Sequence, residues 1–233
     1  MRAFIAKSIL VLGVSSLVSP VLALSFAGNT TALVSATSGS SVGSSYGNTP
    51  IIETEIISPY EVLKTAGTNL FSRISANQGA IEKFPHLMRD IVEEELMPSI
   101  DYRYASYRIL GKHLKKISVE QRADFVQAMR HYLVRTYSIA LSKYKGQEVI
   151  FEAEQPTDGK RIIAVKTEII EQGSPTINVV FQMRQSNKTK QWKAFDMTVE
   201  GISLLSSKQA ELGDKISKQG IDHVTMELAA LSK

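Results

Sequence analysis

Four histidines stand at His86, His113, His131 and His223, no two of them at a metal-ligand interval, and no His-Glu-x-x-His run occurs. The chain has no cysteine. That excludes thiolate metal sites, a cysteine nucleophile, a disulfide framework and a thiol lipid anchor. Gly39-Ser40-Ser41-Val42-Gly43 spells a nucleophile elbow, but that elbow needs a buried strand before it and a helix after it. Both flanks here are rich in Ser and Gly, so no catalytic serine is expected. Gly111-Lys112 and Gly159-Lys160 lack the upstream glycine and the following Ser or Thr of a phosphate loop. Glu93-Glu94-Glu95 reads as the solvated side of a helix. Lys112, Lys115 and Lys116 read as a solubilising helix end. Asp196 is the acid that draws notice, because its strand is otherwise apolar. It could act as a base in a sheet-lined pocket, yet no electrophilic partner accompanies it.

The elements that must carry these residues begin at Ser58. Ser58-Pro59-Tyr60-Glu61 forms a helix start with proline at the first helical position. Leu63, Ala66, Leu70 and Ile74 follow at helical spacing. A second helix opens near Pro85 with Leu87, Met88, Ile91, Val92 and Leu96 on one stripe, and Pro98 closes it. Asp101 caps a third, expected to run through Leu110 and Leu114 to Ile117, with Gly111 as its weak point. Ser118 and Gln121 form a capping box for a long helix whose stripe holds Phe125, Met129, Tyr132, Leu133, Thr136, Tyr137, Ala140 and Tyr144. After Gly146 the period changes to two. Strands are expected over 148–155, 161–171, 176–185 and 191–200, joined by turns at Asp158-Gly159, Gly173-Ser174-Pro175 and Asn187 to Lys190. Residues 206–231 return to helix, broken at Gly220. Helices, then a hairpin-connected sheet, then helices make an α+β fold, with helices on one face of an antiparallel sheet. In the third strand Ile177, Val179, Phe181 and Met183 share a side. In the fourth, Phe195, Met197 and Val199 alternate with Ala194 and Asp196. One sheet face is thus wide, apolar and rich in Met and Phe. It suits either a sealed core or an enclosed apolar ligand.

The N-terminus differs in character. Arg2 and Lys7 precede an uncharged apolar stretch from Ser8 to Leu24, and Ala23 and Ala27 are candidate cleavage points. Residues 1–27 read as an export signal. Residues 28–57, rich in Gly, Ser and Thr, read as a linker without a core of its own. Residues 58–233 then form a single domain. The 233 residues carry 27 Lys and Arg against 23 Asp and Glu, a formal charge of +4. Losing Arg2 and Lys7 leaves 25 against 23. A balance this mild gives no reason to expect nucleic acid as a partner. The 43% apolar content excludes global disorder.

Three blocks together carry a resemblance. The first runs Asp101-Tyr102-Arg103-Tyr104 into Ala105-Ser106-Tyr107-Arg108-Ile109-Leu110-Gly111-Lys112. The second is Ser118-Val119-Glu120-Gln121-Arg122-Ala123-Asp124-Phe125. The third is Trp192-Lys193-Ala194-Phe195-Asp196-Met197-Thr198-Val199-Glu200-Gly201-Ile202-Ser203-Leu204. In order and spacing they resemble the MlaC or toluene-tolerance family, over about Ser58 to Leu231. The resemblance implies an NTF2-like sheet-and-helix fold with added helices and an apolar cavity between the layers. It implies a monomeric periplasmic carrier with no cofactor and with phospholipid as cargo. The implied partners are an outer-membrane lipoprotein–porin complex and an inner-membrane ABC transporter with MCE domains. The implied outcome is outer-membrane lipid asymmetry. Ser207-Lys208-Gln209 stands where many members have an Asn-Tyr-Arg-like triplet, so no role of that arginine transfers.

The acyl-chain pocket is expected to be lined on the sheet side by Val165, Val179, Phe181, Met183, Phe195 and Met197. On the helix side Leu70, Leu96, Phe125 and Met129 are expected. No catalytic residue and no metal site are expected. Two other readings stay open on the residues alone: an enzyme for a small apolar ligand on a similar fold, with Asp196 as its base, and a ligand-free adaptor with a filled core.

Overall fold

A computed structural model describes residues 57–232. The expected export signal, and all of the expected linker except Ile57, lie outside the described residues. The first helix, α1 (Pro59–Ala76), starts where Ser58 Oγ accepts the Glu61 backbone N–H at 3.2 Å, with Pro59 at its first position. It buries Leu63, Leu70 and Ile74. A short α2 (Gln78–Lys83) follows, with none of its residues buried. Sequence periodicity had no stripe there to detect. The expected helix near Pro85 is α3 (His86–Ile91), which widens into a π-helical turn over Val92–Leu96 and a 3-10 turn over Met97–Ser99.

Next come α4 (Tyr102–Leu110) and α5 (Val119–Leu141). Asp101 caps α4 by accepting the Tyr104 N–H at 3.0 Å. The helix stops at Leu110 rather than Ile117, because Gly111 turns to φ +49, a conformation that favours glycine. At α5 the Ser118–Gln121 box is reciprocal, with both hydrogen bonds formed. The strands are β1 (Glu148–Phe151), β2 (Ile162–Ile170), β3 (Ile177–Gln185), β4 (Trp192–Val199) and a two-residue β5 (Ile202–Ser203). Two helices close the described chain, α6 (Leu204–Gln219) and α7 (Ile221–Ala230), parted at Gly220 with φ +85.

The five strands pair in chain order and are all antiparallel. Phe181 lies opposite both Val165 and Met197, and Val179 opposite both Thr167 and Val199, so these side chains share one face. The strict alternation expected for β4 fails at one point. Gln182 pairs with Asp196 and Met183 with Ala194, which leaves Phe195 as the extra residue of a β-bulge. The helices cover one face, giving the α+β arrangement expected from the element order.

The core comes in separate clusters. Phe125, Met129, Leu110, Leu212 and Val224 join α4, α5, α6 and α7. Tyr60 and Leu63 at the start of α1 seal against Val165, Met183 and Trp192 of the sheet. Leu70 and Ile74 meet Met88 and Ile91 between α1 and α3. The Glu93–Glu95 run is not merely solvated. Arg73 of α1 holds Glu94 at 2.5 Å and Glu95 at 2.8 Å, and Arg130 of α5 holds Glu93. The π-helical turn is thereby tied to a helix on either side.

Candidate functional site

Between the sheet face and the helices these clusters leave a cavity. Its helix side comes from Leu63, Ala66, Gly67, Leu70 and Phe71 of α1, Leu96, Ala105 and Ile109, and Met129, Leu133, Thr136, Tyr137 and Ala140 of α5. Its sheet side comes from Val149 and Phe151 of β1, Thr167 and Ile169 of β2, Val179 and Phe181 of β3, and Ala194 to Met197 of β4. The start of α6 adds Leu204, Leu205, Ser207 and Lys208 to the wall. The wall is overwhelmingly apolar and opens to solvent over part of its boundary.

The cavity volume is about 240 Å³. One water needs roughly 10–15 Å³ at the tightest and occupies ~30 Å³ in the liquid, so the cavity takes on the order of 8–24 water-sized groups. A methylene is of similar bulk. The empty cavity therefore matches about one long acyl chain.

Of the ten residues expected to line a pocket, Leu70, Leu96, Met129, Val179, Phe181, Phe195 and Met197 do border this cavity. Val165, Met183 and Phe125 do not, and each is fully buried in closed core. The reason differs by side. Val165 and Met183 sit on the correct sheet face, but the first turns of α1 lay Tyr60 and Leu63 over that end of it. Phe125 lies one turn before Met129 on α5 and packs beneath α6 and α7. The face was legible in the strand pattern, whereas its coverage depends on where α1 crosses the sheet.

Other wall residues escaped the sequence reading. Gly67 lets α1 approach β1. A Cβ there would lie 2.4 Å from Phe151 Cζ. Tyr132, Thr136 and Tyr137 were visible as part of the α5 stripe, but nothing marked them as wall. Tyr104 meets Phe195 edge-to-face with ring centroids 5.1 Å apart, and Arg184 lies 4.2 Å over the Tyr104 ring while pairing with Asp101. The Asp-Tyr-Arg-Tyr block thus fixes a cavity residue by fastening α4 to the sheet.

Among the described residues, Asp196 is the carboxylate and Lys208 the ammonium in the cavity wall, beside the phenols of Tyr132 and Tyr137. Asp196 accepts the backbone N–H of Met197 at 2.7 Å and of Leu205 at 3.0 Å, and the Ser203 hydroxyl at 2.7 Å. With three donors satisfied, it organises the β4–α6 connection. Tyr137 is enclosed by protein yet keeps accessible surface because it borders the cavity. Burial, then the charges of Asp196 and Tyr132, push its hydroxyl up to about 12. Lys208 has a side chain only 14% exposed, with Nζ 2.7 Å from Glu211 Oε2 and 5.1 Å from the Tyr132 ring centroid. Among the described residues no group of three or more His, Cys, Asp or Glu could hold a metal ion. No described helix is long and apolar enough to cross a membrane.

The fold and site define a helix-covered antiparallel sheet built around an apolar, partly open cavity. The chain belongs to the MlaC family, whose model, described as MlaC protein, matches residues 64–230. It is 34% identical over 175 residues to the intermembrane phospholipid transport system binding protein MlaC of Haemophilus influenzae, covering 75% of this chain and 80% of that protein. It is 23% identical over 174 residues to the toluene tolerance protein ttg2D of Pseudomonas putida, covering 74% and 80%. A solved phospholipid-binding protein from Ralstonia solanacearum, in complex with a phospholipid, has the same fold. The TM-score is 0.67 at 18% identity, over 76% of this chain and 97% of that one.

Proposed function

We propose that this chain is a non-enzymatic carrier of phospholipid, and that its acyl-chain pocket is the cavity between sheet and helices. The observation that carries the reading is an apolar, partly open space where an ordinary core would be filled. A diacyl lipid in water exposes about 30 methylenes at roughly 0.8 kcal/mol each, a penalty above 20 kcal/mol. A carrier must replace the bilayer's apolar surroundings during transit. This cavity does so for about one chain as it stands, so a second chain requires the wall to yield. Met129 and Met197 suit that, being flexible side chains that repack around varied shapes. A headgroup left at the opening avoids burying a phosphate charge in the apolar wall.

The same reading places the protein in the periplasm as a monomer, delivered by the signal read in residues 1–27. There it shuttles lipid between an outer-membrane lipoprotein–porin complex and an inner-membrane ABC transporter with MCE domains, in support of outer-membrane lipid asymmetry. A passive carrier's direction follows its partners' affinities. Native mass spectrometry of the mature protein, before and after incubation with liposomes, tests the reading. Discrete mass additions equal to phospholipids are expected. Persistent absence of bound lipid would contradict it.

A further inference from the structure

Lys208 is the one lysine or arginine in the cavity wall among the described residues. It borders the cavity, and its ammonium lies 5.1 Å from the Tyr132 ring centroid and 2.7 Å from Glu211 Oε2. An ammonium this enclosed needs an anionic partner. Burial lowers its pKa, but Tyr132 and Glu211 outweigh burial and raise it above the ordinary lysine value, so it stays charged. Glu211 stands three residues along the same helix, and its side chain is 28% exposed. It can therefore turn to water when another anion arrives. The phosphodiester is the anion common to phospholipids, and it lies where apolar chains meet solvent. An ammonium has three donors, so it can hold a phosphate oxygen and keep its contact with Tyr132.

We propose that Lys208 anchors the phosphate of the bound lipid, exchanging the Glu211 carboxylate for the phosphodiester on loading. This deepens the carrier reading and rests on it. The chemistry recognised is a phosphate ester, which a free phosphate shares in part.

The test compares uptake of dioleoyl phosphatidylglycerol and of uncharged dioleoylglycerol from phosphatidylcholine vesicles by the full mature chain. Lys208→Met should weaken phosphatidylglycerol uptake about tenfold, as loss of a charge-assisted hydrogen bond implies, and leave dioleoylglycerol within about twofold. Lys208→Arg should restore the phospholipid value. Glu211→Gln should bind phosphatidylglycerol at least as well as the native chain, because it removes only the competing carboxylate. Equal loss of both lipids in Lys208→Met, no loss of either, or Glu211→Gln as weak as Lys208→Met would overturn the proposal and leave an ordinary structural ion pair. Inorganic phosphate binding as tightly as the lipid would overturn the lipid assignment. A native chain that takes up neither of these lipids nor phosphatidylcholine would instead overturn the carrier reading, so the two failures are distinguishable.

Discussion

Filling the cavity from the helix side should abolish lipid loading without harming the fold. Ala140 of α5 borders the cavity and carries a single methyl. In Ala140→Phe the six added ring carbons displace about six methylene-sized groups, a large share of a space that holds on the order of 8–24. At ~0.8 kcal/mol per methylene left in water, lipid binding weakens by about 5 kcal/mol, or roughly 10³–10⁴-fold. Yielding of the methionine-rich wall makes that an upper value, with a loss of about 100-fold as a floor. Ala123→Phe, on the exposed side of the same helix, is the control and should load normally. The assay is transfer of fluorescent phospholipid from vesicles, read beside thermal unfolding. The added ring occupies a void, so the unfolding midpoint should stay level or rise. Uptake within about threefold of the native value, with an unchanged midpoint, would refute the placement of acyl chains in this cavity.

Asp101→Ala removes both the cap of α4 and the partner of Arg184. It should destabilise the protein by about 2–4 kcal/mol in urea titration, while Asp101→Asn keeps the cap and loses less. Tyr137 stays neutral in the folded protein up to about pH 12, against an ordinary value of 10.0. Its contribution is therefore complete below pH 10 and is lost as pH rises from 10 to 12, by at most about 3 kcal/mol. Tyr137→Phe should show a correspondingly smaller fall in its urea midpoint over that window. Gly67→Ala gains about 1 kcal/mol of helix propensity but drives a methyl into the Phe151 ring, at about 1–3 kcal/mol. It should lower stability in the native background and raise it in a Phe151→Leu background, a sign change that a double-mutant cycle in urea reads directly.

Much of the fold was written in local signals. Ser58, Asp101 and Ser118 mark three helix starts through backbone hydrogen bonds that depend on nearby residues alone. Turn residues mark the strand ends in the same way. What escaped has no local signature. Helix α2 buries nothing, so it has no stripe. The bulge at Phe195 is a property of the β3–β4 register. The cavity's limits on the sheet depend on the path of α1, which makes Val165 and Met183 core while Val179 and Phe181 remain wall. Lys208 and Glu211 stand three residues apart on α6 and were not singled out from the sequence. Only the packing of α6 against α4 and β4 brings the lysine to Tyr132 and the cavity.

The proposed pocket puts the acyl chains between the sheet and α1, α4 and α5. A phospholipid with a diazirine at mid-chain, loaded into the mature protein, irradiated and mapped by peptide mass spectrometry, tests it most directly. Label is expected on wall residues such as Met129, Leu133, Thr136, Phe181 and Met197, and none on Phe125 or Met183. Label confined to the outer sheet face around Lys166 and Glu168, or spread over Phe125 and Met183 as much as over the wall, would contradict it.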